Sequence, residues 1–106
     1  MQIQAKFDQL QKEYINIQQA RAKQIDMKYE NELVLKNIDT FPKDTKLYHI
    51  DGPLLVPQTT EDVKIKVDDK IKFITKQLAQ LDKQMKDKEQ EIIACNKQRL
   101  EAQKQL

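Results

Sequence analysis

Residues 47–60 read LYHIDGPLLVPQTT, and this stretch decides the fold. LYHI at 47–50 has the β-branched and aromatic character of a strand. Asp51-Gly52-Pro53 is a turn signal, LLV at 54–56 follows, and Pro57 closes the run. The pattern predicts a short β-hairpin. Alternation sends Leu47 and His49 to one face, Tyr48 and Ile50 to the other. A lone two-stranded hairpin is marginal in water, and an exposed apolar edge invites aggregation. These strands are therefore expected to join a larger sheet supplied by other chains. The competing reading is a local hairpin packed on the bases of its own flanking helices.

Those flanks differ in kind. All three prolines and the only glycine lie within 39–60, so helix breakers are confined to the middle. The expectation is one domain over 1–106, with a helix over about 2–38, the hairpin region over 39–60 and a second helix over about 61–106. In the second helix Val67, Ile71, Ile74, Leu78, Leu81 and Met85 alternate spacings of four and three, the signature of a coiled-coil seam. The register runs on through Lys88, Ile92, Cys95, Arg99, Ala102 and Leu106, where the seam becomes mixed. Thr59 with Asp62 fits a capping box, and Glu61 and Asp62 suit the positive end of the helix dipole.

The first helix reads less regularly. Ile3, Phe7, Leu10, Tyr14 and Ile17 hold a heptad seam that then meets Arg21, Gln24 and Lys28. A seam through Ala22, Ile25, Tyr29 and Leu33 is more apolar, which predicts a phase slip after Ile17. Folding the helices back about residue 51 or 52 makes opposed residue numbers add to about 103. Ile25 then faces Leu78, Tyr29 faces Ile74, Ile17 lies near Met85 and Leu10 near Ile92. The fold class expected is mainly α: an antiparallel two-helix coiled-coil hairpin with a short β-hairpin between the helices.

Composition agrees. Charged residues make up 34% of the chain, so it buries a narrow seam rather than a large core. Nineteen Lys and Arg are interspersed with 17 acids, which lacks the concentrated basic face of a nucleic-acid binder. No long apolar run exists to span a membrane, and MQIQAKFDQL lacks a signal-peptide core. With Cys95 the one cysteine, a reducing, cytoplasmic setting is expected. Nothing forms a metal cluster, a phosphate-binding loop or a catalytic constellation, so neither a cofactor nor enzymatic activity is expected.

Helix, hairpin, helix is the plan of a β-type prefoldin subunit, and LYHIDGPLLVPQTTEDVKIKVDDKIKFI at 47–74 resembles that family specifically. Tyr48, Gly52, Pro53, Leu55, Val56, Gln58 and Glu61 match its pattern, and Val67, Lys70, Phe73 and Ile74 continue it. The resemblance is specific over about 30 residues and topological over the rest. Two positions depart: Asp51 stands where the family has an apolar residue, and Pro57 where it has a basic one. Without an N–H, Pro57 should face an edge or lie outside the ladder. The resemblance implies a heterohexamer of α-type and β-type subunits. Its hairpins join an inter-subunit β-barrel. Its coiled-coil tips hold unfolded actin and tubulin for the cytosolic chaperonin, without nucleotide.

The candidate residues follow. Leu47, Tyr48, His49, Ile50, Gly52, Pro53, Leu54, Leu55 and Val56 are assigned to subunit assembly. Tyr14, Ile17, Ile25, Tyr29, Leu33, Val67, Ile71, Ile74, Leu78, Leu81 and Met85 are assigned to the seam. Ile3, Phe7, Leu10, Ile92, Cys95 and Leu106 sit where the termini meet. There they either pack as ordinary seam or fray to expose apolar groups to clients, helped by Lys88 and Arg99 interrupting the seam. His49, without partners, reads as a strand histidine, and Cys95 as a small apolar seam residue. The alternative function is a structural coiled-coil adapter or tether with one fixed partner, which has little use for LYHIDGPLLV.

Overall fold

The two-residue loop Gly52-Pro53 joins the strands at the middle of the chain. Gly52 has φ +61°, a conformation that costs glycine nothing. Proline holds the next φ negative, so the pair forms a type II′ turn, whose twist matches flanking antiparallel strands. In this computed structural model, which describes residues 2–42 and 45–105, the elements run in the order α1 (Gln2–Asn37), β1 (Leu47–Asp51), β2 (Leu54–Gln58) and α2 (Thr60–Lys104). This is the expected class: two long helices with a two-stranded antiparallel hairpin between them.

The helix ends have local causes. A single 3-10 turn, Ile38–Thr40, follows α1. Phe41 is extended at φ −71°, ψ 143°, as the residue before Pro42 must be. At the start of α2 the capping box forms reciprocally. The Asp62 N–H donates to Thr59 Oγ1 at 3.0 Å, and the Thr59 N–H donates to Asp62 Oδ2 at 3.2 Å.

The chain forms two compact units, Met1–Gln24 with Gln77–Leu106 (the terminal unit) and Ile25–Lys76 (the hairpin unit). Within the terminal unit α1 and α2 run antiparallel, with Leu10 and Cys95 buried between them. Within the hairpin unit the buried residues are Ile38, Val67 and Ile74. Cross-helix polar contacts Gln4–Arg99, Tyr14–Glu89, Arg21–Asp82 and Asp39–Lys64 join residues whose numbers add to 103, the expected pairing.

The seam of α2 follows the expected register: Val67, Ile71, Ile74, Leu78, Leu81, Met85, Lys88, Ile92, Cys95 and Arg99 are buried or half-buried. Ala102 is exposed, and Leu106 lies outside the described residues. In α1 the structure corrects the reading. There is no phase slip. Apart from Glu13, which is half-buried beside Tyr14, buried and half-buried positions run Ile3, Phe7, Leu10, Tyr14, Ile17, Arg21 and Gln24 in the terminal unit, then Lys28, Asn31, Leu35 and Ile38 in the hairpin unit. That is one unbroken alternation of four and three. Ile25, Tyr29 and Leu33, assigned to the seam, are exposed at 40%, 62% and 37%, and Ala22 is exposed as well. The physical reason lies in the stems of the polar residues. Lys, Arg and Gln lay methylenes along an apolar partner while their heads reach water, so they hold seam positions that hydropathy denies them.

Candidate functional site

The hairpin presents the first apolar surface. Register pairs Leu47 with Gln58, Tyr48 with Pro57, His49 with Val56, Ile50 with Leu55 and Asp51 with Leu54. Directly opposed residues share a face, so Tyr48, Ile50, Leu55 and Pro57 make one wholly apolar face. The other face, Leu47, His49, Asp51, Leu54, Val56 and Gln58, is mixed. Only Leu47 and Gln58 are even half-buried, and every other strand residue is exposed. The hairpin is therefore not packed on its own helix bases. Pro57 does not end β2, which runs on to Gln58.

The ladder explains why proline is tolerated there. Asp51 and Leu54 flank the two-residue loop and form the hydrogen-bonded pair that closes the hairpin. Pair types alternate, so Ile50/Leu55 and Tyr48/Pro57 are non-hydrogen-bonded pairs. Their backbone groups point away from the sister strand. The missing N–H of Pro57 is thus lost from the outer edge of β2, not from the hairpin itself.

The second surface lies on the terminal unit. Ile3, Phe7 and Ile92 are half-buried and Leu10 and Cys95 are buried, at 6% and 2% exposure, so all five pack in the seam. Lys88 and Arg99 do not open it. Lys88 Nζ meets Glu13 Oε2 at 2.6 Å, and the Arg99 guanidinium lies 4.4 Å from the Phe7 ring centre while donating to Gln4 and Asn96. The Lys88 ammonium holds the Glu13 carboxyl below its usual range, with help from the Gln9 amide. The Glu13 carboxylate in turn holds Lys88 above its own usual value. Tyr14 donates to Glu89 at 2.7 Å, which raises the phenol pKa because the carboxylate stabilises the protonated form.

The exposed apolar residues of this unit lie beside the seam. Gln11, Tyr14, Ile15, Glu89, Ile92 and Ile93 line an open groove, flanked by the half-exposed Ile15 and by Ile93 at 69%. Leu100 is exposed one heptad beyond Ile93. Ile15, Ile93 and Leu100 lie off the seam register, so the heptad pattern does not point to them. Their signal is two isoleucines, Ile92-Ile93, side by side, of which a seam takes one and leaves the other outside.

His49 is exposed on β1, and Cys95 is a free, buried thiol 3.8 Å from the Ile3 carbonyl. Among the described residues no group of three His, Cys, Asp or Glu could hold a metal ion, and no helix is long and apolar enough to cross a membrane.

Comparison with known proteins gives concordant findings. A family model described as prefoldin subunit matches residues 1–106. Prefoldin subunit 6 of Saccharomyces cerevisiae is 31% identical over 88 residues, which cover 83% of this chain and 77% of the yeast protein. Prefoldin subunit 6 of Arabidopsis thaliana is 38% identical over 61 residues, covering 58% of this chain and 47% of the plant protein. Among solved structures, the prefoldin beta subunit from Thermococcus strain KS-1 superposes with a TM-score of 0.81 at 23% identity, covering 95% of this chain and 91% of that one.

Proposed function

This chain belongs to the prefoldin subunit family, and from that premise we propose that it is one subunit of a cytoplasmic heterohexamer that captures unfolded actin and tubulin at its coiled-coil tips and passes them to the cytosolic chaperonin without nucleotide. Family membership supports a chaperone subunit that assembles with other prefoldin subunits and does no catalysis. The observation that carries the finer reading is the exposed hairpin. Two strands with an apolar face in water and free edges are marginal alone and are completed by strands from neighbours. In this reading the hairpin joins an inter-subunit barrel, leaving the helices free to hold clients.

The groove beside Tyr14, Ile15, Ile92 and Ile93 supports client capture. Its aliphatic walls are open to solvent, and non-directional apolar contact suits chains with no fixed shape. Seam residues Ile3, Phe7, Leu10 and Cys95 hold the two helices together, Ile92 both packs in the seam and lines the groove, and client contact falls on Ile15 and Ile93.

The test is native mass spectrometry of the tagged chain isolated from its own cells. The expected result is a six-subunit particle with five other prefoldin subunits that holds unfolded actin. Leu55→Asp should abolish entry into the particle while circular dichroism keeps the helices. Recovery of the chain with one fixed folded partner, indifferent to unfolded proteins, overturns the proposal in favour of an adapter.

A further inference from the structure

In the hairpin unit α1 has two faces. Lys28, Asn31 and Leu35 lie half-buried on its seam, while Ile25, Tyr29 and Leu33 stand outside at 40%, 62% and 37% exposure. These three recur at every fourth residue, so they form one i±4n ridge about 12 Å long, roughly 130° round the helix from the seam. Acids border the middle of the ridge, Asp26 and Glu30 on one side and Glu32 on the other. Lys23 and Lys36 stand beyond its two ends in the sequence. Among the described residues Asp26 and Glu30 enter no ion pair, and Glu32 meets Lys28 at 4.0 Å.

We propose that this ridge docks an amphipathic helix of a partner protein, one whose own apolar stripe is bordered by Lys or Arg. The occupant is a helix because an i±4n ridge fits the grooves between the same ridges of a second helix, the commonest way helices pack. A strand needs a free backbone edge, which a helix face does not offer. The borders of the occupant are basic because closing an apolar stripe over Tyr29 brings its edges against Asp26 and Glu30, where carboxylates would repel and cations attract. Contiguous exposed apolar surface of this kind marks an interaction site, and within the chain these side chains bury little. The ridge belongs to the hairpin unit, whereas the client groove belongs to the terminal unit and is lined by other residues. A second copy of this chain is a poorer occupant. On α2 of the hairpin unit Ile65 and Phe73 are exposed at 60% and 61%, but Asp69 takes the place between them, so no matching ridge faces out.

Two synthetic amphipathic peptides of about 18 residues test this, with the same leucine stripe but lysine borders in one and glutamate borders in the other. Fluorescence anisotropy with the particle isolated through the tagged chain should show the lysine peptide binding about tenfold more tightly, with added salt narrowing the difference. Tyr29→Ser should weaken the lysine peptide about tenfold and leave the holding of unfolded actin as it was. Asp26→Lys with Glu30→Lys should reverse the preference between the peptides. Equal affinities, an unchanged affinity in Tyr29→Ser, or displacement of the lysine peptide by unfolded actin overturns the proposal. A footprint on the unmodified full chain needs no variant to fold. In NMR titration the lysine peptide should shift the amide signals of Ile25, Tyr29 and Leu33, and a footprint centred on Ile15 and Ile93 overturns the assignment. So does self-association of the chain that Tyr29→Ser abolishes in sedimentation, because the occupant is then a second copy. A chain that joins no prefoldin particle sinks the assembly reading alone, since the footprint is read on the chain by itself.

Discussion

The middles of the two helices solve one packing problem with opposite residues. Where α2 places Leu81, Leu78, Ile74 and Ile71 on the seam, α1 places Arg21, Gln24, Lys28 and Asn31. Antiparallel pairing sets Gln24 against Leu78 in the terminal unit and Lys28 against Ile74 in the hairpin unit. Ile74 is nonetheless only 3% exposed. One helix supplies the apolar surface, and the other sets half-buried polar side chains at the seam, whose methylene stems suit them to cover it. Meanwhile α1 carries its own apolar residues Ile25, Tyr29 and Leu33 on the outside. The stripe with the greater hydropathy is thus not the stripe that is buried.

If that comparison is right, the largest effect belongs to the α2 side. Ile74→Ala removes most of a buried aliphatic side chain and should destabilise the chain by about 3 kcal/mol in thermal or denaturant unfolding followed by circular dichroism. A loss below about 1 kcal/mol would mean that the polar stems of α1 leave the site open enough to collapse at no cost. Next comes Gln24, whose Oε1 is buried without a hydrogen-bond partner. Gln24→Leu removes an unsatisfied acceptor and adds apolar contact opposite Leu78, so it should stabilise by about 1 kcal/mol. A destabilising result would show that the amide is bound to water and belongs there. Smaller still is Tyr29→Ser. The slipped register sets Tyr29 against Ile74 and demands a loss of several kcal/mol, whereas exposure predicts a change within about 0.5 kcal/mol. This substitution separates the two registers most directly, because the side chain is large and only its placement is in question.

These contrasts also explain what the sequence could disclose. In α2 every buried position from Val67 to Met85 was legible, because only one stripe is apolar and it keeps the coiled-coil spacing. The capping box and the turn were legible because Thr59, Asp62 and Gly52 each serve a backbone need that few residues meet. In α1 two stripes compete, and hydropathy ranks the wrong one first. The correct one could have been found by extending the Ile3–Ile17 register unchanged, since it lands on Leu35 and Ile38 with no slip. Aliphatic stems hide this, because Lys28 scores as polar whether its methylenes lie on Ile74 or in water. The groove residues Ile15 and Ile93 were missed for a related reason. They lie next to the seam, so a search for seam positions passes over them.

The smallest effect sharpens the comparison at its other end, where α2 also puts a lysine on the seam. Among the described residues Lys28 pairs with Glu32 of its own helix, at 4.0 Å, whereas Lys88 reaches across to Glu13 at 2.6 Å. The cross-helix pair should therefore leave a pH signature. Lys88 depresses the Glu13 pKa in the folded chain, so the carboxylate contributes stability above its unfolded pKa and loses it as pH falls through the depressed value. Glu13 raises the Lys88 pKa, so that contribution is complete below the ordinary lysine value and is lost only as pH rises through the raised one. Both are present at neutral pH, and the acid side is the accessible test. Unfolding midpoints of the unmodified chain and of Glu13→Gln should differ slightly near neutrality and converge as pH drops through the carboxylate range, with added salt narrowing the gap. Parallel curves would mean that the Glu13 pair adds nothing to folding and that Lys88 holds its seam position through its methylene stem.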